Sequence, residues 1–466
     1  MRPTSLSEVA RITNGELTPN VGGAIQFRSV STDSRQLKQG DLFWALRGET
    51  HDGHEFLDEA HKQGAAGCVV ADGRSSGPDE LPTVRVKDTL AALKAFARWH
   101  RNCQEARVVG VTGSVGKTTT RELIYSVLGG SLQGMRSPAN FNNHLGLPLS
   151  LLSVHDQHEF AVLELGASAV GEIRDLATVA RPEIGVVTGI APVHLSGFGS
   201  LQRIAQAKAE LLASLPHSGV AIVPGDDPFA SQLAEAARCR VVRVGARKIN
   251  SLQATDVRSQ GDRLRVRIGS SKFDVPGAFP HNLSSVLAAI AVGREFSLND
   301  ERIAAGLQSF QQASGRTKIL QIGLWRVIDD TYNSSPVAVT AACNLLKHFN
   351  TSQRKVLVLG DMLELGKHAP RFHRQAGRDA ASVGLDSLLV LGKWADHVVE
   401  GAMESGLSAN RITSTQTHSK LFSALESTIQ PGDVILIKGS RGMRMEQVVE
   451  KLRELARRTQ PHRQIA

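Results

Sequence analysis

The chain has 466 residues, 41% of them hydrophobic and 21% charged, more than one core can hold and the balance of a globular protein of about two to four domains. No apolar run approaches a membrane span and Met1-Arg2-Pro3-Thr4 opens no signal peptide, so a cytoplasmic chain with no membrane span is expected. The net charge of +9 is dispersed apart from a basic tail (Arg457, Arg458, His462, Arg463); with 5% aromatic residues, stacking platforms for nucleic acid are scarce, and an anionic small molecule or plain solvation explains the excess.

Residues 1 to about 105 read as a first unit. Ser31-Thr32-Asp33-Ser34-Arg35 precedes a turn and a short buried strand within Gly40 to Gly48. An amphipathic helix is predicted around Gly53 to Gly64, then a strand from Gly67 to Ala71. The Ser/Asp/Ser/Arg cluster suits an anionic ligand, and equally a capped turn closed by a surface salt bridge. Cys68, Cys103, Cys239 and Cys343 are scattered without a C-x-x-C pair and read as reduced, mostly structural residues.

The second unit, about 106 to 313, opens on the stretch around which the chain is organised. The β-branched run Val108-Val109-Gly110-Val111 enters Thr112-Gly113-Ser114-Val115-Gly116-Lys117-Thr118-Thr119-Thr120, and a helix is predicted from Arg121 to Leu128. This is the layout of a phosphate-binding loop, with backbone N–H groups and a helix N-terminus facing phosphates. Lys117 would reach the β- and γ-phosphates and Thr118 would hold Mg²⁺. The strict pattern wants glycine at the position of Val111, so Gly113 marks a shorter variant. Strands are expected at Phe160–Leu165, Ile184–Thr188, Val220–Val223 and Arg240–Val244, alternating with helices, which implies a largely parallel sheet. Arg263–Ile268 and Lys272–Val275 read as a hairpin through Gly269-Ser270-Ser271, and Leu283–Val292 as an apolar helix.

A third unit begins near Ser314-Gly315-Arg316. Strands at Arg326–Asp330, Lys355–Leu359, Ser387–Leu391 and Val434–Lys438 alternate with helices, which predicts a second doubly wound domain. No G-x-G-x-x-G follows any of them, so a dinucleotide is not indicated.

Polar residues at strand ends carry the candidate chemistry. Glu164 closes Phe160-Ala161-Val162-Leu163 and suits Mg²⁺, directly or through water. His194 follows a strand and the turn Gly189-Ile190-Ala191-Pro192. Lys208 lies on an amphipathic helix, where a solvated lysine is the ordinary expectation. Asn282 reads as a cap of the apolar helix. Asp329-Asp330 ends a strand at the third unit's edge, where a polar ligand and mere solvation are equally consistent.

Taken together and in order, these segments resemble the Mur ligases of peptidoglycan synthesis. The resemblance spans nearly the whole chain. It rests on Asp33-Ser34-Arg35, the loop Thr112 to Thr120, Asn140-Phe141-Asn142-Asn143-His144-Leu145-Gly146, Glu164-Leu165-Gly166-Ala167, His194-Leu195 and Ala207-Lys208. The third unit adds Asp329-Asp330-Thr331-Tyr332-Asn333, Gly360-Asp361-Met362-Leu363-Glu364-Leu365-Gly366 and Lys438-Gly439-Ser440-Arg441. It implies an α/β protein of three domains. These are a smaller N-terminal α/β UDP-sugar domain (1–105), a central P-loop ATPase with a mainly parallel sheet (106–313) and a C-terminal Rossmann-like doubly wound domain receiving the amine (314–466).

The implied reaction is ATP-dependent. A UDP-N-acetylmuramoyl tripeptide is activated as an acyl phosphate and joined to D-alanyl-D-alanine, by a monomer without nucleic-acid partners. The resemblance assigns Gly113, Ser114, Val115, Gly116, Lys117, Thr118, Thr119, Asn282, Arg316 and Asp330 to ATP. It makes Thr118, Glu164, His194 and a carbamylated Lys208 the ligands of two Mg²⁺ ions, with Lys117, Glu164, His194 and Lys208 as the catalytic set. Ser31, Asp33, Ser34 and Arg35 would border the UDP-sugar, and Asn140 and Asn143 the junction of ATP with the muramoyl peptide. Tyr332, Asn333 and Ser440 would lie near the entering dipeptide. Ser285, Ser335 and Ser196 depart from residues frequent in the family. A sister ligase or folylpolyglutamate synthase adding a single amino acid is the neighbouring alternative. A non-catalytic nucleotide binder is the alternative from another class.

Overall fold

The computed structural model describes residues 1–18, 23–48, 50–74, 77–349 and 352–459. His462 and Arg463 of the basic tail lie outside them. The chain forms three α/β units, and among the described residues no helix is long and apolar enough to cross a membrane.

The central sheet has seven parallel strands in the order Leu252–Gln253, Arg240–Gly245, Val220–Pro224, Ile184–Val187, Arg107–Thr112, Phe160–Glu164 and Gly134–Arg136. The chain leaves strand 107–112 first for one side of the sheet and then for the other. The carboxyl end of that strand is therefore the topological switch point, where such sheets collect ligands. Its residues alternate between two cores. Val109 and Val111 pack with helices Lys117–Gly129 and Leu283–Glu295, whereas Val108 faces the opposite side. Phe160 and Val162 divide from Ala161 and Leu163 in the same way. A strand buried on both faces reads as a continuous apolar run, which is why period-2 patterning is absent here.

The first unit holds a five-stranded sheet in the order Glu16–Leu17, Thr83–Val86, Gly67–Ala71, Leu42–Trp44 and Val30–Ser31. Its core is not separate. Trp44, Val69, Val84 and Phe96 share one apolar cluster with Val108, Leu147 and Leu163 of the second unit. Arg101, at the end of helix Thr89–Asn102, donates to the Ala180 carbonyl at 3.1 Å and to Glu183 at 2.6 Å. The first unit is thus welded to one face of the central sheet. Helix Gly53–Gly64 is shorter than expected: a 3₁₀ turn at Gly53–Phe56 leads into Leu57–Lys62.

The hairpin is Arg263–Ile268 with Ser271–Pro276, turning at Gly269-Ser270, and a third antiparallel strand, Asp256–Gln260, joins it. In the third unit a six-stranded sheet runs Lys318–Ile322, Trp325–Asp330, Val434–Lys438, Lys355–Gly360, Ser387–Leu391 and Ile412–Thr415, antiparallel only at its first strand. Apolar clusters cover both faces, as a doubly wound sheet requires. The strand ending in Asp329-Asp330 is interior, because Lys318–Ile322 pairs outside it. That outer strand, Lys318-Ile319-Leu320-Gln321-Ile322, is largely exposed or half-buried and escapes the sequence pattern.

Phe96 is fully buried between Trp44 and Trp99, with ring centroids 5.7 and 5.4 Å away. Phe96→Ala should destabilise the joined first and second units by about 3–5 kcal/mol, read as a lower urea midpoint in tryptophan fluorescence.

Candidate active site

The loop after strand 107–112 behaves as its sequence implies, and its helix begins at Lys117 rather than Arg121. Gly116, at φ 81°, turns the chain into the helix N-terminus. Gly113 packs so closely on Thr188 that an added Cβ would collide with the threonine hydroxyl. Ser114 N–H donates to the Gly189 carbonyl at 2.9 Å, which ties the loop to the end of the neighbouring strand. The Lys117 ammonium curls back on the loop, donating to the Gly113 carbonyl at 2.8 Å. Burial holds its pKa below the ordinary lysine value, against the opposing pull of Glu164.

Glu164 is 3% exposed at the end of strand 160–164. Its carboxylate accepts from the Thr118 hydroxyl at 3.0 Å and from the Asn142 amide at 2.9 Å, with an Arg121 nitrogen at 3.5 Å. Asn142, which the sequence reading gave no role of its own, is the asparagine that reaches the acidic group. The Asn143 side chain instead accepts from the Leu145 and Gly146 N–H groups at the start of helix Gly146–Leu152, and Asn140 is exposed. Ala139 just upstream has φ 36°, a detail of backbone path that spacing does not reveal.

Lys208 overturns the ordinary expectation of a solvated lysine. On helix Leu201–Ala213 it is 1% exposed, with its ammonium 3.4 Å from the Ala167 carbonyl and 5.3 Å from the Phe198 ring centroid. Burial, aided by repulsion from Lys117, pushes its pKa down to about 7. The surrounding helix reads as amphipathic from its neighbours; what buries the lysine is the non-local segment Ala167–Phe198.

Residues of the third unit reach the same place. An Arg316 guanidinium nitrogen lies 3.4 Å from the Thr118 hydroxyl, and the guanidinium stacks 4.1 Å from the Tyr332 ring centroid. Its Nε is buried without a protein partner. Asp330 is buried rather than solvated at an edge. It accepts from Thr317 and forms a 2.6 Å ion pair with Lys438, a residue the sequence reading did not single out. Asn333 is exposed with its carbonyl on the same ammonium, and buried Ser440 accepts from Leu363 N–H at 2.9 Å. One cleft is lined by Ser114, Lys117, Thr119, Asn282, Arg316, Asp330 and Asn333.

Asn282 starts the apolar helix but does not cap it; its side chain accepts from Phe279 N–H at 3.0 Å, closing the preceding 3₁₀ turn. Ser285 accepts from Thr120 at 2.8 Å, and Ser335 caps helix Pro336–His348. His194 pairs through Nδ1 with Glu364 of the third unit. Ser31 to Arg35 lie apart from these contacts. Asp33 caps a short 3₁₀ turn and holds Arg35 at 2.8 Å, with Ser31 bonded to the Asp33 carbonyl and Ser34 buried. The salt-bridged turn is therefore present.

Among the described residues no group of three His, Cys, Asp or Glu side chains stands ready for a metal. The oxygens of Thr118 and Glu164 nonetheless suit Mg²⁺, a hard cation that commonly completes its shell with phosphate and water.

A phosphate-binding loop at the switch point of a parallel sheet, with a basic residue entering from a separate doubly wound domain, defines a nucleotide-using enzyme of three parts. The chain belongs to the Mur ligase family. Residues 26–101 match the Mur ligase family catalytic domain, 111–293 the Mur ligase middle domain, and 315–441 the Mur ligase glutamate ligase domain. The UDP-N-acetylmuramoyl-tripeptide–D-alanyl-D-alanine ligase of Bacillus subtilis (strain 168) is 35% identical over 454 residues, covering 97% of this chain and 98% of the relative. The enzyme of the same name from Escherichia coli (strain K12) is 35% identical over 97% of this chain and 99% of its own. Among solved structures, MurF from Acinetobacter baumannii superposes with a TM-score of 0.89 at 31% identity, over 97% of this chain and 99% of that one. MurF ligase from Thermotoga maritima in complex with ADP gives 0.80 at 27% identity, over 93% and 99%.

Gly113→Ala should weaken ADP binding by about 1–3 kcal/mol, the cost of forcing a methyl into a filled contact, measured by titration calorimetry with circular dichroism to confirm the fold.

Proposed function

We propose that this chain joins D-alanyl-D-alanine to a UDP-N-acetylmuramoyl tripeptide at the expense of ATP. The observation that carries the reading is full-length similarity to ligases of that name, together with an intact loop whose Thr118 contacts both Glu164 and Arg316. A carboxylate is a poor electrophile. Transfer of the γ-phosphoryl group to the tripeptide's terminal carboxylate gives an acyl phosphate and ADP. The dipeptide amine then attacks the acyl carbon, the tetrahedral intermediate collapses, and inorganic phosphate leaves with the former carboxylate oxygen.

The residues divide this work in a physically consistent way. The N–H groups of Gly113 to Thr119 and the helix dipole cradle the β- and γ-phosphates, and Lys117 exchanges its loop carbonyl for them. Thr118, Glu164 and His194 would hold Mg²⁺, which would supply charge neutralisation to the transferred group. Asn282 and Asp330 contact the nucleoside, and Arg316 brings positive charge to the phosphates from the third domain. Ser31, Asp33, Ser34 and Arg35 border the UDP-sugar, while Asn140 and Asn143 flank the junction with the peptide. Tyr332, Asn333 and Ser440 meet the dipeptide. The division of labour is then 1–105 for the UDP-sugar, 106–313 for ATP and 314–466 for the amine, in a monomer working where ATP and UDP-sugars are made, the cytoplasm.

Lys208 is read as a carbamate that supports a second Mg²⁺. Only a neutral amine adds CO₂, and a pKa near 7 makes about half the amine neutral at pH 7, where an ordinary lysine is neutral in roughly one molecule in a thousand or fewer. The proton balance sets the sign: carbamate is favoured above pH 7 and lost as pH falls through it. With ¹³C-bicarbonate, a carbamate resonance should appear at pH 8, fade by pH 6 and be missing in Lys208→Ala. Activity of that variant should drop sharply and return in part with a short carboxylate; full activity without rescue would refute the assignment.

For the reaction itself, purified protein should release ADP and phosphate only with the UDP-tripeptide, D-alanyl-D-alanine, ATP and Mg²⁺ all present. ATP turnover indifferent to the dipeptide, or equal turnover with a single amino acid, would overturn the reading in favour of a sister activity.

A further inference from the structure

The segment Asp361 to Gly366 is built as a rigid arm. The Asp361 carboxylate accepts from Lys393 N–H at 2.8 Å and Trp394 N–H at 3.2 Å. The next two amides are also occupied: Met362 N–H donates to His373 Nε2 at 2.9 Å, and Leu363 N–H to Ser440 Oγ at 2.9 Å. Three successive residues are thereby pinned to three other segments of the third domain. The arm ends in Glu364, held at φ 63°, a left-handed conformation uncommon for a residue with a Cβ.

What the arm carries lies on the central domain. The Glu364 carboxylate pairs with His194 Nδ1, and the Glu364 carbonyl accepts from Ser196 N–H at 3.2 Å. Leu195 packs against the third domain's core between these two contacts. His194 is itself left-handed, at φ 48°, immediately before the short helix Leu195–Phe198. Two exposed polar residues in strained backbone, meeting across a domain boundary, are unlike a casual surface salt bridge, whose long side chains remain free to sample other geometries.

We infer that Glu364 is a positioning residue that couples domain closure to metal binding by orienting the imidazole of His194. This rests on the reading of His194 as a Mg²⁺ ligand. The chemistry is specific. Accepting the Nδ1 proton selects the tautomer whose lone pair is on Nε2 and fixes the ring plane. Because the carboxylate belongs to the third domain, that orientation exists only when the domain is docked. By linkage, a cation bound through Nε2 favours docking by the same factor by which docking tightens the cation.

The test uses the full chain with ADP and Mn²⁺, reading free Mn²⁺ by electron paramagnetic resonance, with no turnover involved. Glu364→Ala should weaken Mn²⁺ binding about 10–100-fold, the usual loss for removing a ligand's hydrogen-bond partner. Glu364→Gln, which keeps size but accepts more weakly, should fall between. In a His194→Ala background, Glu364→Ala should add nothing, and ADP affinity measured without divalent cation should be unchanged in every variant. Small-angle scattering should show that Mn²⁺ with ADP compacts the wild type more than Glu364→Ala. If His194→Ala binds Mn²⁺ as the wild type does, the ligand reading fails and this inference with it. If His194→Ala weakens binding while Glu364→Ala does not, or if the two losses add, the ligand reading stands and the role given to Glu364 is overturned.

Discussion

The hydrogen bond between Thr118 and the buried carboxylate of Glu164 joins the two strand ends on which the site depends. Strands 107–112 and 160–164 pair in parallel register, Val111 opposite Glu164, so the phosphate loop and the acidic group leave the sheet side by side. A carboxylate this buried needs compensation, since an unpaired charge in the interior is expensive. Thr118, Asn142 and Arg121 provide it. The same three partners hold the carboxylate at the mouth of the loop, so compensation and positioning are one arrangement.

Buried cations set the site's electrostatic character. Lys117 is held below the ordinary lysine value by burial, and Arg316 adds a second positive group from another domain. Such a concentration of positive charge is unfavourable by itself and favourable around triphosphate and carboxylate.

The domains are joined unequally. The first shares an apolar core with the central sheet and is anchored by Arg101, whereas the third meets the central domain mainly through polar contacts at Thr118, His194 and Ser196, with Leu195 packed against its core. Apolar burial resists separation, while solvated polar contacts exchange with water at small cost. The first unit is accordingly fixed relative to the phosphate loop, and the third unit is the one suited to dock and release.

Local patterns were legible without a structure: the phosphate loop, the buried strands at Gly67–Ala71, Ser387–Leu391 and Val434–Lys438, and the α/β alternation follow from β-branched runs, glycine turns and helical periodicity within a few residues. Motif order also carried the family, because many short matches in sequence are jointly specific. Tertiary structure decided the rest. It alone buried Lys208 beneath a distant loop, turned Asn142 rather than Asn143 toward Glu164, moved Asp330 from an apparent edge into an ion pair with Lys438, and set Glu364 against His194. Each of those outcomes depends on which remote segment packs against a residue and on the local backbone handedness, and neither is encoded in the spacing of neighbours along the chain.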